Sequence, residues 1–172
     1  MFCVGIEKGE LKQIPDEVVK SIVTPVHELY YHTVSKQLFV GSYKEGILIY
    51  DIGKPQKITP CYAPNNVEVN QIVALNADEL LIATGGKGVY KLNVNTCKSE
   101  PYITADYSSY NGMNGNNIND IYVDEEERIW LANYPTGITI RNNRYGRYDL
   151  IKHSLGNNRS LVNDQVHDCL LY

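Results

Sequence analysis

The sequence predicts an all-β protein built from repeated four-stranded antiparallel units, and three observations lead there. First, a tetrad recurs about every 45 residues: Val26-His27-Glu28-Leu29, Val69-Asn70-Gln71-Ile72, Ile118-Asn119-Asp120-Ile121 and Val166-His167-Asp168-Cys169. Second, apolar residues alternate in short runs, as in Ile121 and Val123 and then Ile129 and Leu131, a period of two that belongs to strands. Third, no longer run carries the 3.6 period of a helix.

The elements follow in order. Phe2-Cys3-Val4-Gly5 and Gly9-Glu10-Leu11-Lys12 read as the second and third strands of an incomplete unit, with Val18 to Val23 as its fourth. Each tetrad then opens a first strand. After a turn (TVSKQ, NADE or DEEER) come the second strands Leu38-Phe39-Val40-Gly41-Ser42, Leu80-Leu81-Ile82-Ala83-Thr84 and Ile129-Trp130-Leu131-Ala132-Asn133. A glycine opens each third strand, at Gly46, Gly88 and Gly137, because glycine tolerates the positive φ that a tight reversal demands. A looser fourth strand closes the unit, as in Tyr145 to Leu150. Four strands in about 45 residues is the size of one β-propeller blade. The expected division is a partial blade over 1–25, blades over 26–65, 66–114 and 115–162, and a partial blade over 163–172.

Two conspicuous features fit this frame. The acidic run DEEER occupies the slot of TVSKQ and NADE, so it reads as a solvated hairpin tip and not as a calcium loop, which needs oxygens at a set spacing. Trp130, the single tryptophan, aligns with Phe39 and Leu81 and is expected to pack between neighbouring blades.

Composition narrows the function classes. The 172-residue chain is 43% hydrophobic with a net charge of −4 and no basic block, which argues against nucleic acid and anionic membranes as partners. No apolar stretch is long enough to span a bilayer, and the N-terminal residues lack the pattern of a secretory signal. The four cysteines, Cys3, Cys61, Cys97 and Cys169, form no CxxC pair, so neither a zinc site nor a disulfide framework is indicated and free, largely buried thiols are expected. The segment ATGGKG lacks phosphate-loop spacing and a following helix. His27 and His167 share the tetrad slot of Asn70 and Asn119 and read as local hydrogen-bonding residues. No catalytic set, metal site or cofactor site is defined by spacing.

The units resemble the two-component regulator propeller repeats of the periplasmic sensor domains of hybrid two-component histidine kinases, known from gut Bacteroidetes. The residues that carry the resemblance are NGNNINDIYVDEEERIWLANYPTGITI, then RYGRYDLIKH and SLGNNRSLVNDQVHD, with weaker copies in NQIVALNADELLIATGGKGVYKLN and HTVSKQLFVGSYKEGILIYD. The tryptophan slot departs from the pattern at Phe39 and Leu81, and no kinase, receiver or DNA-binding segment is present. The resemblance implies a fragment of a periplasmic, non-catalytic sensing module, often for glycan breakdown products.

Turns alternate between two faces of such a sheet stack. The loops after second strands and the connectors between units share one face, and long loops on a rigid scaffold are the usual home of binding. The candidates for contact with an oligosaccharide are Tyr107, Tyr110, Asn111, Asn133, Tyr134 and Lys87. The alternatives are a protein–protein interaction scaffold and a propeller glycosidase or lyase fragment. Open blade faces and unpaired end strands also lead us to expect self-association.

Overall fold

A computed structural model describes residues 3–7, 10–13, 20, 22–51, 58–61, 66–105, 113 and 115–168. Among the described residues the named elements are fourteen strands: β1 (Cys3–Glu7), β2 (Glu10–Gln13), β3 (Val26–His32), β4 (Gln37–Ser42), β5 (Ile47–Asp51), β6 (Ile58–Cys61), β7 (Val69–Ala74), β8 (Glu79–Thr84), β9 (Gly88–Asn93), β10 (Lys98–Ile103), β11 (Ile118–Val123), β12 (Arg128–Asn133), β13 (Gly137–Asn142) and β14 (Arg147–Ile151). They form three four-stranded antiparallel sheets, β3–β6, β7–β10 and β11–β14, preceded by the pair β1–β2. These are consecutive blades of a β-propeller, here blades 1, 2 and 3 after the β1–β2 sheet. Lys20 and Ile22 to Pro25 form no strand, and the remaining residues of the expected fourth strand between Val18 and Val23 lie outside the described residues.

Alternation sorts each second strand into two faces. Phe39, Ile47, Ile49 and Cys61 of blade 1 pack on Val69, Leu80, Ile82 and Leu92 of blade 2. Leu81, Val89 and Ile103 on the other side of blade 2 pack on Ile118, Ile129 and Leu131 of blade 3. The core is thus a set of layers between blades, and blade 2 contributes to two of them. Burial of these layers is the main stabilising term.

The tetrad has a structural meaning. In each first strand the register slips between its first and third residues, at Val26/Glu28, Val69/Gln71 and Ile118/Asp120. The second residue is therefore the extra residue of a β-bulge. Released from the ladder, Asn70 donates from Nδ2 to the carbonyl oxygen of Ile118 at 2.7 Å, and Asn119 donates to that of Val166 at 2.9 Å. Each amide therefore reaches the first tetrad residue of the next unit. The third residue works in the opposite sense: Gln71 Oε1 accepts the amide of Ile121, and the Glu28 carboxylate accepts that of Ile72. In the second unit, Asn70 and Gln71 thus supply one donor and one acceptor that fix the stagger against the next first strand.

Glu28 fills with a charge the slot that Gln71 fills with a neutral amide. Burial pushes the Glu28 carboxyl above its ordinary value of 4.5, an effect partly offset by the amides of Ile72 and Leu29. A raised folded-state value means that Glu28 contributes full stability below pH 4.5. That contribution is lost as pH rises through the raised value. Glu28→Gln is therefore expected to raise the melting temperature at pH 7 and leave it little changed at pH 4, in paired thermal melts. Equal effects at both pH values would contradict a desolvated carboxylate.

Two cysteines differ from the expectation of free thiols. Cys61, at the end of β6, and Cys97, in the β9–β10 turn, form a disulfide with a Cα–Cα distance of 5.3 Å, within the range a disulfide spans. The bond joins blade 1 to blade 2. Cys97 adopts φ 57°, in the slot where blade 3 has Gly146 at φ 60°.

Candidate functional site

The register places Val26 opposite Ser42, Val69 opposite Thr84 and Ile118 opposite Asn133. Tetrad starts and second-strand ends therefore emerge together, on the face that carries the loops after β4, β8 and β12. In blades 1 and 2 a hydroxyl closes the loop. Ser42 Oγ donates to the carbonyl oxygen of Gly46 at 3.1 Å and accepts the Glu45 amide at 2.8 Å. Thr84 Oγ1 donates to that of Gly88 and accepts the Lys87 amide. Blade 3 has Asn133 instead. It is fully buried, donates from Nδ2 to the carbonyl oxygen of Gly115 at 3.1 Å, and leaves Oδ1 without a partner. The hydroxyl of Thr136 beside it is likewise buried and unsatisfied.

Residues 115–117 stitch two of these loops together. The amides of Gly86 and Gly88 donate to the carbonyl oxygen of Asn116, and Gly85 bridges Asn117. From the other side the Tyr134 amide donates to the carbonyl oxygen of Asn117 at 2.9 Å. Lys87 and Tyr134 thus project from loops that flank one segment, and both are exposed. The Tyr134 ring lies 6.2 Å from that of His167. Asn133 holds the loop from beneath. Tyr107, Tyr110 and Asn111, in the connector that leads into residue 115, lie outside the described residues.

A second cluster, not singled out as a candidate from the sequence, sits between blades 1 and 2. His27 Nδ1 lies 2.8 Å from Glu68 Oε1, and its ring is 5.7 Å from that of Tyr43. Thr24 Oγ1 donates to Glu45 Oε2 at 3.1 Å. The available signal was the histidine itself, standing where two later tetrads have asparagine. The pair can present a hydrogen-bonding edge beside an aromatic ring, which suits polar ligands.

The opposite face bears the hairpin tips, and each has its own polar latch. His32 is buried, with Nδ1 2.8 Å from Ser35 Oγ and Nε2 3.1 Å from the carbonyl oxygen of Ala77 in the next blade's turn. Asn76 Oδ1 accepts the amides of Asp78 and Glu79. In the acidic turn, Asp124 accepts four hydrogen bonds: from the amides of Glu126 and Arg128, from Arg128 Nε at 2.7 Å and from the Trp130 indole at 2.8 Å. Burial alone would raise this carboxyl. The bonds from Trp130, Arg128 and the two amides outweigh burial and hold it below the ordinary aspartate value. Glu125, Glu126 and Glu127 remain exposed. Trp130 takes the slot of Phe39 and Leu81, whose side chains face the following blade. It lies half-buried on the side of blade 3 that faces away from blade 2, with the Arg128 guanidinium 5.7 Å above its ring. Its indole N–H is drawn to Asp124, which Leu81 and Phe39 have no means to do. Among the described residues no three His, Cys, Asp or Glu side chains converge as a metal site.

No protein-family model matches this chain, and no curated protein matches it in sequence. Solved structures do match. Two are of the extracellular domain of BT4673 from B. thetaiotaomicron, assigned to a hybrid two-component system in one case and to a one-component system in the other. The first is 22% identical with a TM-score of 0.54, covering 63% of this chain and 14% of that one. The second is 23% identical with a TM-score of 0.58, covering 89% and 19%. The WD40 repeats of RRP9 match with a TM-score of 0.55 at 10% identity, covering 80% of this chain and 40% of that one. The chain therefore spans less than a fifth of the length of either BT4673 structure. At these identities the likeness is one of fold: the chain is a run of β-propeller blades of the kind that build those extracellular sensor domains.

Proposed function

We propose that this chain is part of an extracytoplasmic, non-catalytic sensor module of a two-component-type signalling protein, and that it recognises a saccharide where the β8–β9 and β12–β13 loops meet residues 115–117. The observation that carries the reading is the shared blade architecture with the extracellular domains of BT4673. The inter-blade disulfide agrees with an oxidising compartment. Exposed Tyr134 offers a ring face for a sugar, and Lys87 offers a donor from the neighbouring loop. Tyr107, Tyr110 and Asn111, which lie outside the described residues, remain candidates from the sequence alone. Fold likeness alone does not fix a ligand, so the test is direct.

Thermal melts against a panel of neutral and acidic oligosaccharides should give a rise with at least one of them. Saturation a hundredfold above Kd corresponds to about 2.7 kcal/mol. Tyr134→Ala should abolish the rise while leaving the unliganded melting temperature in place, since the ring is exposed. A flat response across the panel would overturn saccharide recognition.

A further inference from the structure

We propose that His27, Tyr43 and Glu68 form a second sugar-binding subsite on the loop face, so that the ligand is an extended oligosaccharide lying across blade 2 between two aromatic walls. The proposal rests on the saccharide reading above and narrows it to a class of saccharide. Its basis is a correspondence between blades 1 and 3. Tyr43 and Tyr134 occupy one repeat position, directly after the second strand. Each donates its amide to the residue before its own tetrad: Tyr43 to the carbonyl oxygen of Pro25 at 3.1 Å, Tyr134 to that of Asn117 at 2.9 Å. Both rings are exposed, at 44% and 38%. Each lies beside a histidine from the second tetrad position. The ring centroids of His27 and Tyr43 are 5.7 Å apart at 45°, and those of His167 and Tyr134 are 6.2 Å apart at 44°. Tyr43 meets the histidine of its own tetrad, and Tyr134 meets that of the next.

Blade 2, between them, has neither ring. Gly85 holds the tyrosine position, its amide on the carbonyl oxygen of Glu68 at 2.9 Å, and Asn70 holds the histidine position. Gly85 and Gly86 are exposed, so the loop of blade 2 is a low floor between Tyr43 and Tyr134. Packed sheets stand about 10 Å apart, so tyrosines two blades apart cannot share one monosaccharide. A chain of sugars can stack on both rings and pass over the glycines between them. The subsite at blade 1 also has a polar edge. Asn70 and Asn119 bond the first carbonyl of the next tetrad, whereas His27 Nδ1 lies 2.8 Å from Glu68 Oε1. An N–H on Nδ1 donates to that carboxylate, which fixes the tautomer and leaves the Nε2 lone pair for a ligand hydroxyl. Glycine at 85 gives Glu68 its room: a Cβ there would lie 3.2 Å from both Cβ and Oε2 of Glu68. Gly85 is not left-handed, unlike Gly86 and Gly88, so the backbone alone does not demand glycine at this point. The missing side chain both lowers the floor and admits the carboxylate that orients His27.

Calorimetric titration of the 172-residue chain with β-linked glucose, galactose and mannose oligosaccharides, each from disaccharide to hexasaccharide, tests this. In the series that binds, affinity should rise at least about tenfold once the chain is long enough to touch both walls, because the second contact is then intramolecular. His27→Asn installs the residue of the later tetrads and so keeps the fold. It should retain the disaccharide affinity and lose the gain from length, and Tyr43→Ala should do the same. Tyr134→Ala should weaken short and long chains alike. A hexasaccharide that binds no tighter than its disaccharide would overturn the second subsite and leave the site at Tyr134 standing. So would His27→Asn and Tyr43→Ala variants that keep the full gain. Absence of binding in every series would overturn the saccharide reading itself, and the second subsite with it.

Discussion

Reduction of the Cys61–Cys97 bond is expected to produce the largest loss of stability available without a change of sequence. The bond closes a separation of 36 residues, for which chain entropy sets an upper value of about 4 kcal/mol. For a domain of this size that corresponds to a fall in melting temperature of roughly 8–15 °C. The bond also acts where it matters mechanically. Among the described residues, blades meet through apolar layers, side-chain bonds and a few backbone bonds such as those of Gly86 and Gly88 to Asn116, with no extended sheet ladder running from one to the next, so a covalent link between two blades restrains their relative opening. Melts with and without a phosphine reductant measure the effect. Cys97→Gly supplies the control: glycine suits the left-handed backbone at that slot, as Gly146 does in blade 3, so the variant loses the bond without straining the turn. It should melt with the reduced protein and ignore the reductant. If reductant leaves the unaltered protein unmoved, the two blades are held by packing alone.

The blade architecture was legible because it rests on local chemistry that repeats. Alternation in Leu80 to Thr84 and Ile129 to Asn133, and the glycines at 46, 88 and 137, act within a few residues of themselves and so leave a pattern in the chain. The tetrad was visible as a repeat, but its bulge was not. A register slip depends on the partner strand, and nothing within Val69-Asn70-Gln71-Ile72 announces that Asn70 is the unpaired residue. The disulfide was missed for the same reason on a larger scale. Cys61 and Cys97 fall in different blades and in different slots of their blades, so no spacing rule links them. Asp124 shows a third kind of limit. The run of acids looked uniform, yet the first of them is tied to Arg128 and Trp130 by hydrogen bonds while the next three are exposed, Glu126 pairing with Arg128 from the surface. On the loop face, Tyr134 and Lys87 were legible as loop residues. That residues 115–117 would join their loops required backbone contacts the sequence does not display.

Gly137→Ala is expected to cost about 3 kcal/mol, whereas Gly146→Ala costs about 1 kcal/mol, although both glycines adopt left-handed backbones. Gly137 has φ 89° and Gly146 φ 60°. An added methyl therefore pays a backbone penalty at either position, roughly 1–2 kcal/mol for an L-residue. The surroundings separate them. A Cβ at Gly146 meets nothing within 4 Å, because the β13–β14 turn opens to solvent. A Cβ at Gly137 collides with the backbone carbonyl oxygen of Ile151, which cannot move without breaking the Ile138–Ile151 pairing that begins the β13–β14 ladder. The Asp164 carboxylate lies 3.4 Å from the same point, so relief in that direction disturbs the segment that carries the tetrad at 166–168. The same collision, against the carbonyl oxygen of Ile103, awaits Gly88→Ala in blade 2. Denaturant unfolding of the three variants should therefore group Gly88→Ala with Gly137→Ala and set Gly146→Ala apart. Equal losses at all three would mean that φ alone governs these glycines, and that the loop after each second strand has room to widen. Since that loop carries Lys87 in blade 2 and Tyr134 in blade 3, its rigidity is what a preformed binding surface on this face requires.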